Sequence, residues 1–338
     1  MDYPILFCDR PFLRMTERLR KKEISVIVHS VFQKAVNLES EGHLYTMLAA
    51  GTKPLTPEED AYLGVPNSAY VKTEHFMTIS LEPGMKIPGG RQEIQTGKDR
   101  FLFAKHMVLF PDAFFRPEGL READEKLLRQ GIKWFDRLLT EAAGRKGAGA
   151  GLFYINYFLG KAPDSCYEDR VSAALQRELE KRLSCVCRLM ETGEKQKEQE
   201  MQEKLRQAVA GTVGTGMGLT PSADDFFCGM LIAMACMSKT DEKVKRAVRA
   251  VEAGIRRALD RKGTTQVSGE MLLLHTQRIF PRLYKKLAEA FLTGGTGMEA
   301  VMERLERIGH SSGIDMACGM AAAFRILGGQ GAEKSAYH

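Results

Sequence analysis

The 338-residue sequence has no apolar run long enough to cross a bilayer. Its longest are about a dozen residues, against the roughly 20 that a spanning helix needs. It also lacks blocks of like charge. Forty-nine Lys and Arg stand against 43 Asp and Glu, a net +6. The signs interleave, as in Arg177-Glu-Leu-Glu-Lys-Arg182 and along Glu194–Arg206. Mixed charge of this kind reads as a solvated surface, not a nucleic-acid face. There is one tryptophan, and no RRM, KH or finger pattern. No CxxC occurs among the seven cysteines at 8, 166, 185, 187, 228, 236 and 318. Cys228, Cys236 and Cys318 lie in apolar helical stretches, where cysteine acts as a small hydrophobe. A disulfide framework and a cysteine zinc site are therefore excluded, and a reducing compartment is expected. The apolar run after Met1 is too short for a signal peptide. The expectation is a cytoplasmic protein with no membrane partner, no nucleic acid and no cofactor.

What is present changes along the chain. Residues 1–115 carry short β-branched segments: Ile24–His29, Ala69–Thr73, Phe76–Leu81, Glu93–Thr96, Phe101–Ala104 and Met107–Phe110, with His43–Leu48 leaning to strand. Pro83-Gly84 and Pro88-Gly89-Gly90 punctuate them, which predicts an antiparallel sheet or small barrel. Residues 116–150 predict a connecting helix over Glu118–Glu141 and a flexible glycine-rich linker, Arg145–Gly151. Residues 151–338 read as helix at 171–190, 194–210, 226–237, 242–260, 268–291, 298–308 and 315–327, with Pro281 kinking or splitting the fifth. Strands first and helices after is an α+β class, not alternating βαβ.

Three polar clusters each precede an apolar helix: Gly211–Asp225, Gly263–Ser268 and Gly309–Asp315. The first has glycines at 211, 214, 216 and 218. Glycine lets backbone amides approach a ligand, and the following helix start favours an anion. No Gly-Lys-Ser/Thr follows, so it is not a P-loop, and no strand precedes it as a dinucleotide fingerprint requires. A tight connection between packed helices explains the glycines equally well.

Residues 222–233 and 312–323 repeat in register at an offset of 90: Ser222/Ser312, Asp225/Asp315, Cys228/Cys318, Gly229/Gly319, Met230/Met320 and Ala233/Ala323. Ser-x-x-Asp resembles a capping box, and Gly-xxx-Ala leaves a smooth strip for close helix packing. The two helices are expected to pack together with their N-termini adjacent. Gly214, Gly216 and Gly218 are then candidate backbone contacts to a ligand. Thr220, Ser222, Thr264, Thr265, Ser268, Ser311 and Ser312 are candidate hydroxyl donors. Asp224, Asp225 and Asp315 would orient these donors or hold a substrate amide. His310 is the candidate acid–base group. Helix capping alone is the competing explanation for each cluster. Asp224, Asp225, Asp315 and His310 match no metal-ligand spacing, and no metal is expected.

Gly216-Met-Gly-Leu-Thr-Pro-Ser-Ala-Asp-Asp-Phe-Phe-Cys-Gly229 resembles the Gly-x-Gly-Leu-Thr-Pro-Ser-Gly-Asp-Asp-Phe-x-x-Gly signature of a domain-of-unknown-function family. That family contains the AllH-like subunit of oxamate carbamoyltransferase. Gly263–Ser268 and Gly309–Asp315 resemble its later motifs, and Val28–Leu38 with Phe76–Pro88 its β-rich first half. Ala223 stands where the family has glycine. The resemblance implies a subunit of a carbamoyl-transfer complex in allantoin degradation, converting oxalurate and phosphate to oxamate and carbamoyl phosphate. It implies a small anionic substrate of the oxalurate or carbamoyl phosphate class, and companion carbamoyltransferase subunits or a homo-oligomer. The Ser-Thr-Arg-Thr loop of other carbamoyltransferases is missing. A non-catalytic assembly subunit, or a free-standing enzyme or sensor for another carboxylated amide, stays open.

Overall fold

A computed structural model describes residues 1–50, 67–87, 93–110, 114–115, 124–143, 149–161, 169–192, 198–237 and 242–328. The chain forms two compact units, Met1–Phe115 and Arg116–His338.

The first unit is an eight-stranded sheet with one helix. Its elements are β1 (Asp2–Asp9), α1 (Arg10–Arg20), β2 (Val26–Val31), β3 (Ala35–Ser40), β4 (His43–Ala49), β5 (Ser68–Val71), β6 (Lys86–Ile87), β7 (Glu93–Thr96) and β8 (Asp99–Phe110). The strand order is β6-β2-β3-β4-β5-β1-β8-β7. The end strands β6 and β7 return into contact, giving a near-barrel. β3 and β4 form a tight hairpin pairing Ser40 with His43, with Glu41 and Gly42 both at positive φ, the backbone that a two-residue hairpin turn demands. Two pairings, β1 with β8 and β4 with β5, are parallel, so the sheet is mixed and not wholly antiparallel. Parallel strands cannot be joined by a tight turn, and 18 residues separate Ala49 from Ser68.

Helix α1 has a helical periodicity within the strand-rich region. Phe12, Met15, Thr16 and Leu19 lie on one buried face, one turn apart. Asp9 caps it through Phe12 N at 2.9 Å and also accepts from Ser68 N at 2.9 Å. Helix α1 and strands β1 and β3 were not anticipated. Conversely, Phe76–Leu81 forms bends and turns, not a strand, and 101–104 with 107–110 are one continuous strand. Phe76, Ile79 and Leu81 pack into the core of this unit, so their apolar character records burial without a ladder partner.

The second unit contains α2 (Glu125–Ala143), α3 (Gly149–Leu159), α4 (Arg170–Glu191), α5 (Glu198–Thr212), α6 (Ser222–Met237), α7 (Glu242–Asp260), α8 (Gln266–Thr276), α9 (Arg282–Leu292), α10 (Met298–Leu305) and α11 (Ser312–Leu327). The expected fifth helix is split, and Pro281 is the N-cap of α9. The expected linker through Gly151 is cut short, because α3 begins at Gly149; residues 144–148 lie outside the described residues. Helix α3 is apolar all round and buries Leu152 to Ile155 and Phe158, as a core helix should.

Helices α6 and α11 are the centre of this unit, and both bury nearly every side chain. A Cβ on Gly229 would lie 1.8 Å from Met316 O, and one on Gly319 would lie 1.9 Å from Phe226 O. Residues 226 and 316 are themselves related by the offset of 90, so the contact is reciprocal: each glycine lies against the partner backbone three residues before the other glycine. Around this pair, Arg325 of α11 donates to Asp136 of α2, which also accepts from Tyr154 Oη of α3 at 2.9 Å. Trp134 of α2 donates through Nε1 to Glu299 Oε1 of α10 at 2.9 Å, with the Arg137 guanidinium 4.4 Å above its ring. Among the described residues no helix is long and apolar enough to cross a membrane.

Candidate functional site

The starts of four helices surround one cleft of about 300 Å³. Gly149 opens α3, Ser172 lies in the first turn of α4, Ser222 opens α6, and His310 with Ser311 precedes α11. The loop residues Gly216, Met217 and Gly218 complete the wall with Leu175, Gln176 and Leu179 of α4. Helix starts carry the positive end of the dipole and amides without intrahelical partners, so the convergence favours electron-rich ligand atoms. No Lys or Arg occurs among the lining residues.

The serines are not used as the capping-box pattern predicts. Ser222 and Ser312 both lie inside their helices, and the N-cap of α11 is Ser311, which makes no side-chain cap bond. The hydroxyls cross instead. Ser222 hydrogen-bonds Asp315 of the other helix, and Ser312 hydrogen-bonds Asp225. Thr220 joins the second pair, with its Oγ1 2.8 Å from Ser312 Oγ.

Asp315 is fully buried. It accepts from Ser222, from Ser311 Oγ at 2.9 Å, and from the Ala150 and Gly151 amides at 2.7 and 3.3 Å, which makes it the cap of α3. A Cβ on Gly149, at φ +74°, would lie 2.7 Å from Asp315 Oδ1 and 2.9 Å from Ser222 Oγ. Only glycine fits that junction. Burial raises the Asp315 carboxyl to about 6 against the pull of its four donors. Asp225 has fewer donors, Ser312 and Thr220, and its Oδ2 is buried without a partner. Burial, and then the neighbouring Asp315 charge, push the Asp225 carboxyl well above its ordinary value. Burial thus disfavours the charge on both carboxyls, and more so on Asp225, which has fewer donors to offset it.

Asp224 belongs to a different task. Its Oδ1 accepts from Gly214 N at 2.7 Å, and its Oδ2 from Thr264 and from Ser268 Oγ at 2.6 Å. Burial raises its carboxyl while these three bonds oppose the shift. Thr265 caps α8 by accepting from Ser268 N at 3.1 Å and donates to Leu219 O. The residues of the Gly263–Ser268 cluster thus tie the glycine loop to α8. Gly214 fits this tie closely, since a Cβ there would lie 2.0 Å from Gly263 O.

Of the residues expected from sequence, Gly216, Gly218, Ser222, His310 and Ser311 line the cleft. Asp315 stands directly behind Ser222 and Ser311. Gly214, Thr220, Asp224, Asp225, Thr264, Thr265, Ser268 and Ser312 are not among the lining residues; their polar groups are held within the protein. The sequence reading missed Gly149, Ser172 and Gln176. Asp169, which caps α4 through the Val171 and Ser172 amides, was a legible signal for Ser172. Gly149 was hidden in a stretch that composition assigns to a linker. Gln176 gives no signal, because its role is the pair of bonds that it exchanges with the Gly149 backbone at 3.0 and 2.9 Å. Among the described residues no three His, Cys, Asp or Glu cluster to hold a metal ion.

Two family models match the chain. The model for oxamate carbamoyltransferase subunit AllH matches residues 212–324, from the glycine loop into α11. The model for the AllH family N-terminal domain matches residues 5–107, most of the sheet unit. No solved structure matches.

Proposed function

Since the chain belongs to the AllH family of oxamate carbamoyltransferase subunits, we propose that it works within a complex that converts oxalurate and phosphate to oxamate and carbamoyl phosphate, and that its cleft takes part in binding the substrate. In that reaction a phosphate oxygen attacks the terminal ureido carbon of oxalurate. The bond from that carbon to the oxamate nitrogen then breaks, and the nitrogen leaves with a proton. Such a step needs fixed dipoles around a tetrahedral, anionic centre more than it needs a covalent nucleophile. The observation that carries the reading is the convergence of four helix starts and the glycine loop on one small cleft. His310, which lines it, is assigned the proton for the leaving nitrogen. We place the complex in allantoin catabolism and in the cytoplasm, where the free thiols of Cys8, Cys185, Cys187, Cys228, Cys236 and Cys318 are stable.

The subunit designation of the family supports companion chains. A second reading, that this chain assembles the complex without touching the reacting atoms, draws on the cleft rim. Leu175 and Met217 of its wall are exposed, Met217 by 58%, as are Val171 and Leu219, the chain neighbours of the lining residues Ser172 and Gly218. Apolar side chains left at a polar mouth suit coverage by another subunit. The test is carbamoyl phosphate formation from oxalurate and phosphate by the companion subunits with and without this chain, and with His310→Ala. Turnover that needs the chain and falls at least tenfold in His310→Ala supports the first reading. Unchanged turnover per assembled complex selects the second. No turnover with all subunits folded removes the substrate assignment.

A further inference from the structure

We infer that the serine wall of the cleft receives N–H groups, so that the carbamoyl end of the substrate, and not a phosphate or carboxylate, lies against Ser172, Ser222 and Ser311. Naming the carbamoyl group rests on the function proposed above. The hydrogen-bond polarity that leads to it does not.

A serine hydroxyl has one proton and two acceptor lone pairs. Ser172 Oγ donates to Asp169 Oδ2 at 2.8 Å. Its other contact, Met217 Sδ at 3.9 Å, is a weak acceptor and does not compete. Ser311 Oγ donates to Asp315 Oδ2 at 2.9 Å, and Ser222 also hydrogen-bonds Asp315. An ionised carboxylate only accepts, so each of the three protons is drawn behind the wall. What each serine keeps for the cleft is lone pairs. Gln176 is committed in the same way: its Nε2 donates to Gly149 O at 2.9 Å and to Glu180 Oε1 at 3.0 Å. None of these four side chains therefore holds a proton for a ligand.

The consequence reverses the expectation that these hydroxyls act as donors. A phosphate or carboxylate oxygen placed on this wall would meet lone pairs and lose its hydration without compensation. A primary amide or ureido group brings two or more N–H donors to the same positions. The cleft's remaining donors are the His310 ring and main-chain amides such as those of the glycine loop, and the anionic end of the substrate belongs there. A cleft lined by opposed acceptors and donors also fixes which way round the substrate binds, which a uniform donor ring would not do.

The test is calorimetric titration at pH 8, where Asp315 is ionised, on the full chain alone and assembled with its companion subunits. The probes, each titrated alone so that no transfer occurs, are oxalurate, oxalurate dimethylated on its terminal nitrogen, oxalate and inorganic phosphate. Oxalurate is expected to bind at least tenfold more tightly than the other three. Ser222→Ala and Ser311→Ala are each expected to weaken oxalurate about 5- to 20-fold and to leave oxalate unchanged. In Asp315→Asn the new amide nitrogen donates to serine oxygen and turns a hydroxyl proton toward the cleft, so the preference for oxalurate over oxalate should shrink at least tenfold. Equal binding of oxalurate and its dimethyl derivative, oxalate or phosphate binding as tightly as oxalurate, or no binding of any probe overturns the inference. An intact amide preference without carbamoyl phosphate formation would count against the function proposed above and leave the polarity standing. Turnover without the amide preference would do the reverse.

Discussion

The starts of α6 and α11 are nearly the same in sequence and differ in what surrounds them. Both carry Ser-x-x-Asp, and both pass a serine bond to the other's carboxylate. Both bring a glycine against the partner backbone. The symmetry ends at α3. Its first amides reach Asp315, and the Gly149 turn fits beside that carboxylate. Asp225 has no such helix and keeps an unpartnered oxygen. One repeat therefore builds a carboxylate held by four donors behind a cleft, and the other a carboxyl with an unpartnered oxygen in the interior. The repeat supplies the scaffold, and the third helix breaks the equivalence.

The comparison can be broken most sharply at the carboxylates. Asp315→Ala leaves four donors without an acceptor and is expected to cost about 4 kcal/mol, near the top of the range for single substitutions. Asp225→Ala should cost about 1–2 kcal/mol, because Thr220 and Ser312 already bond each other, and Asp225→Asn should be near neutral below pH 4 and stabilising at pH 7, where a raised carboxyl weakens the fold. Chemical denaturation measures all three, and equal losses at 225 and 315 would refute the asymmetry.

The glycines test the part of the comparison that should hold. Gly229→Ala and Gly319→Ala each drive a methyl into a carbonyl oxygen and are expected to cost about 3 kcal/mol apiece. Melting temperatures that fall by similar amounts would confirm a two-sided contact. A loss confined to one glycine would show that the helices do not share it.

A smaller effect follows from pH. Asp315 titrates near 6 in the fold against 3.8 outside it. A raised carboxyl stabilises the folded form fully below the unfolded value, and that contribution disappears as pH rises through the folded value. Unfolding free energy should therefore fall between about pH 4 and pH 7, on the order of 2–3 kcal/mol from this group. Asp9, also raised to about 6, adds a slope of the same sign in the sheet unit, so the assignment needs Asp315→Asn, which should flatten the profile but not abolish it. An unchanged profile in that variant would reassign the slope. Smallest in stability is the serine pair. Ser222→Ala and Ser312→Ala should each cost about 1 kcal/mol, yet only Ser222→Ala should lower turnover in the assembled complex, by about tenfold. Equal turnover in the two would mean that the cleft is not where the chain acts.

The order of strands before helices was legible in the sequence, as were most helix spans and the packing of α6 on α11. Those features depend on local period and on small residues at one spacing. The Gly229 and Gly319 strip could be read because a helix pair needs it whatever else surrounds the pair. The crossing of the serines could not be read, because a Ser-x-x-Asp that caps its own helix and one that serves its neighbour are written identically. The same limit hid Gly149, whose sequence neighbours are all small, and the parallel strand pairs, which depend on where a long connection returns. It also hid the direction of the hydroxyls. Thr264 and Ser268 read as donors and are donors, to Asp224.

The single tryptophan gives the molecule an optical asymmetry. Trp134 belongs to the helical unit, held between Glu299 and the Arg137 guanidinium, while the sheet unit carries none. Selective excitation of its indole would therefore follow the separation of α2 from α10 and see nothing of the strands, so the melting of the helical unit can be timed on its own in the full chain without adding a label.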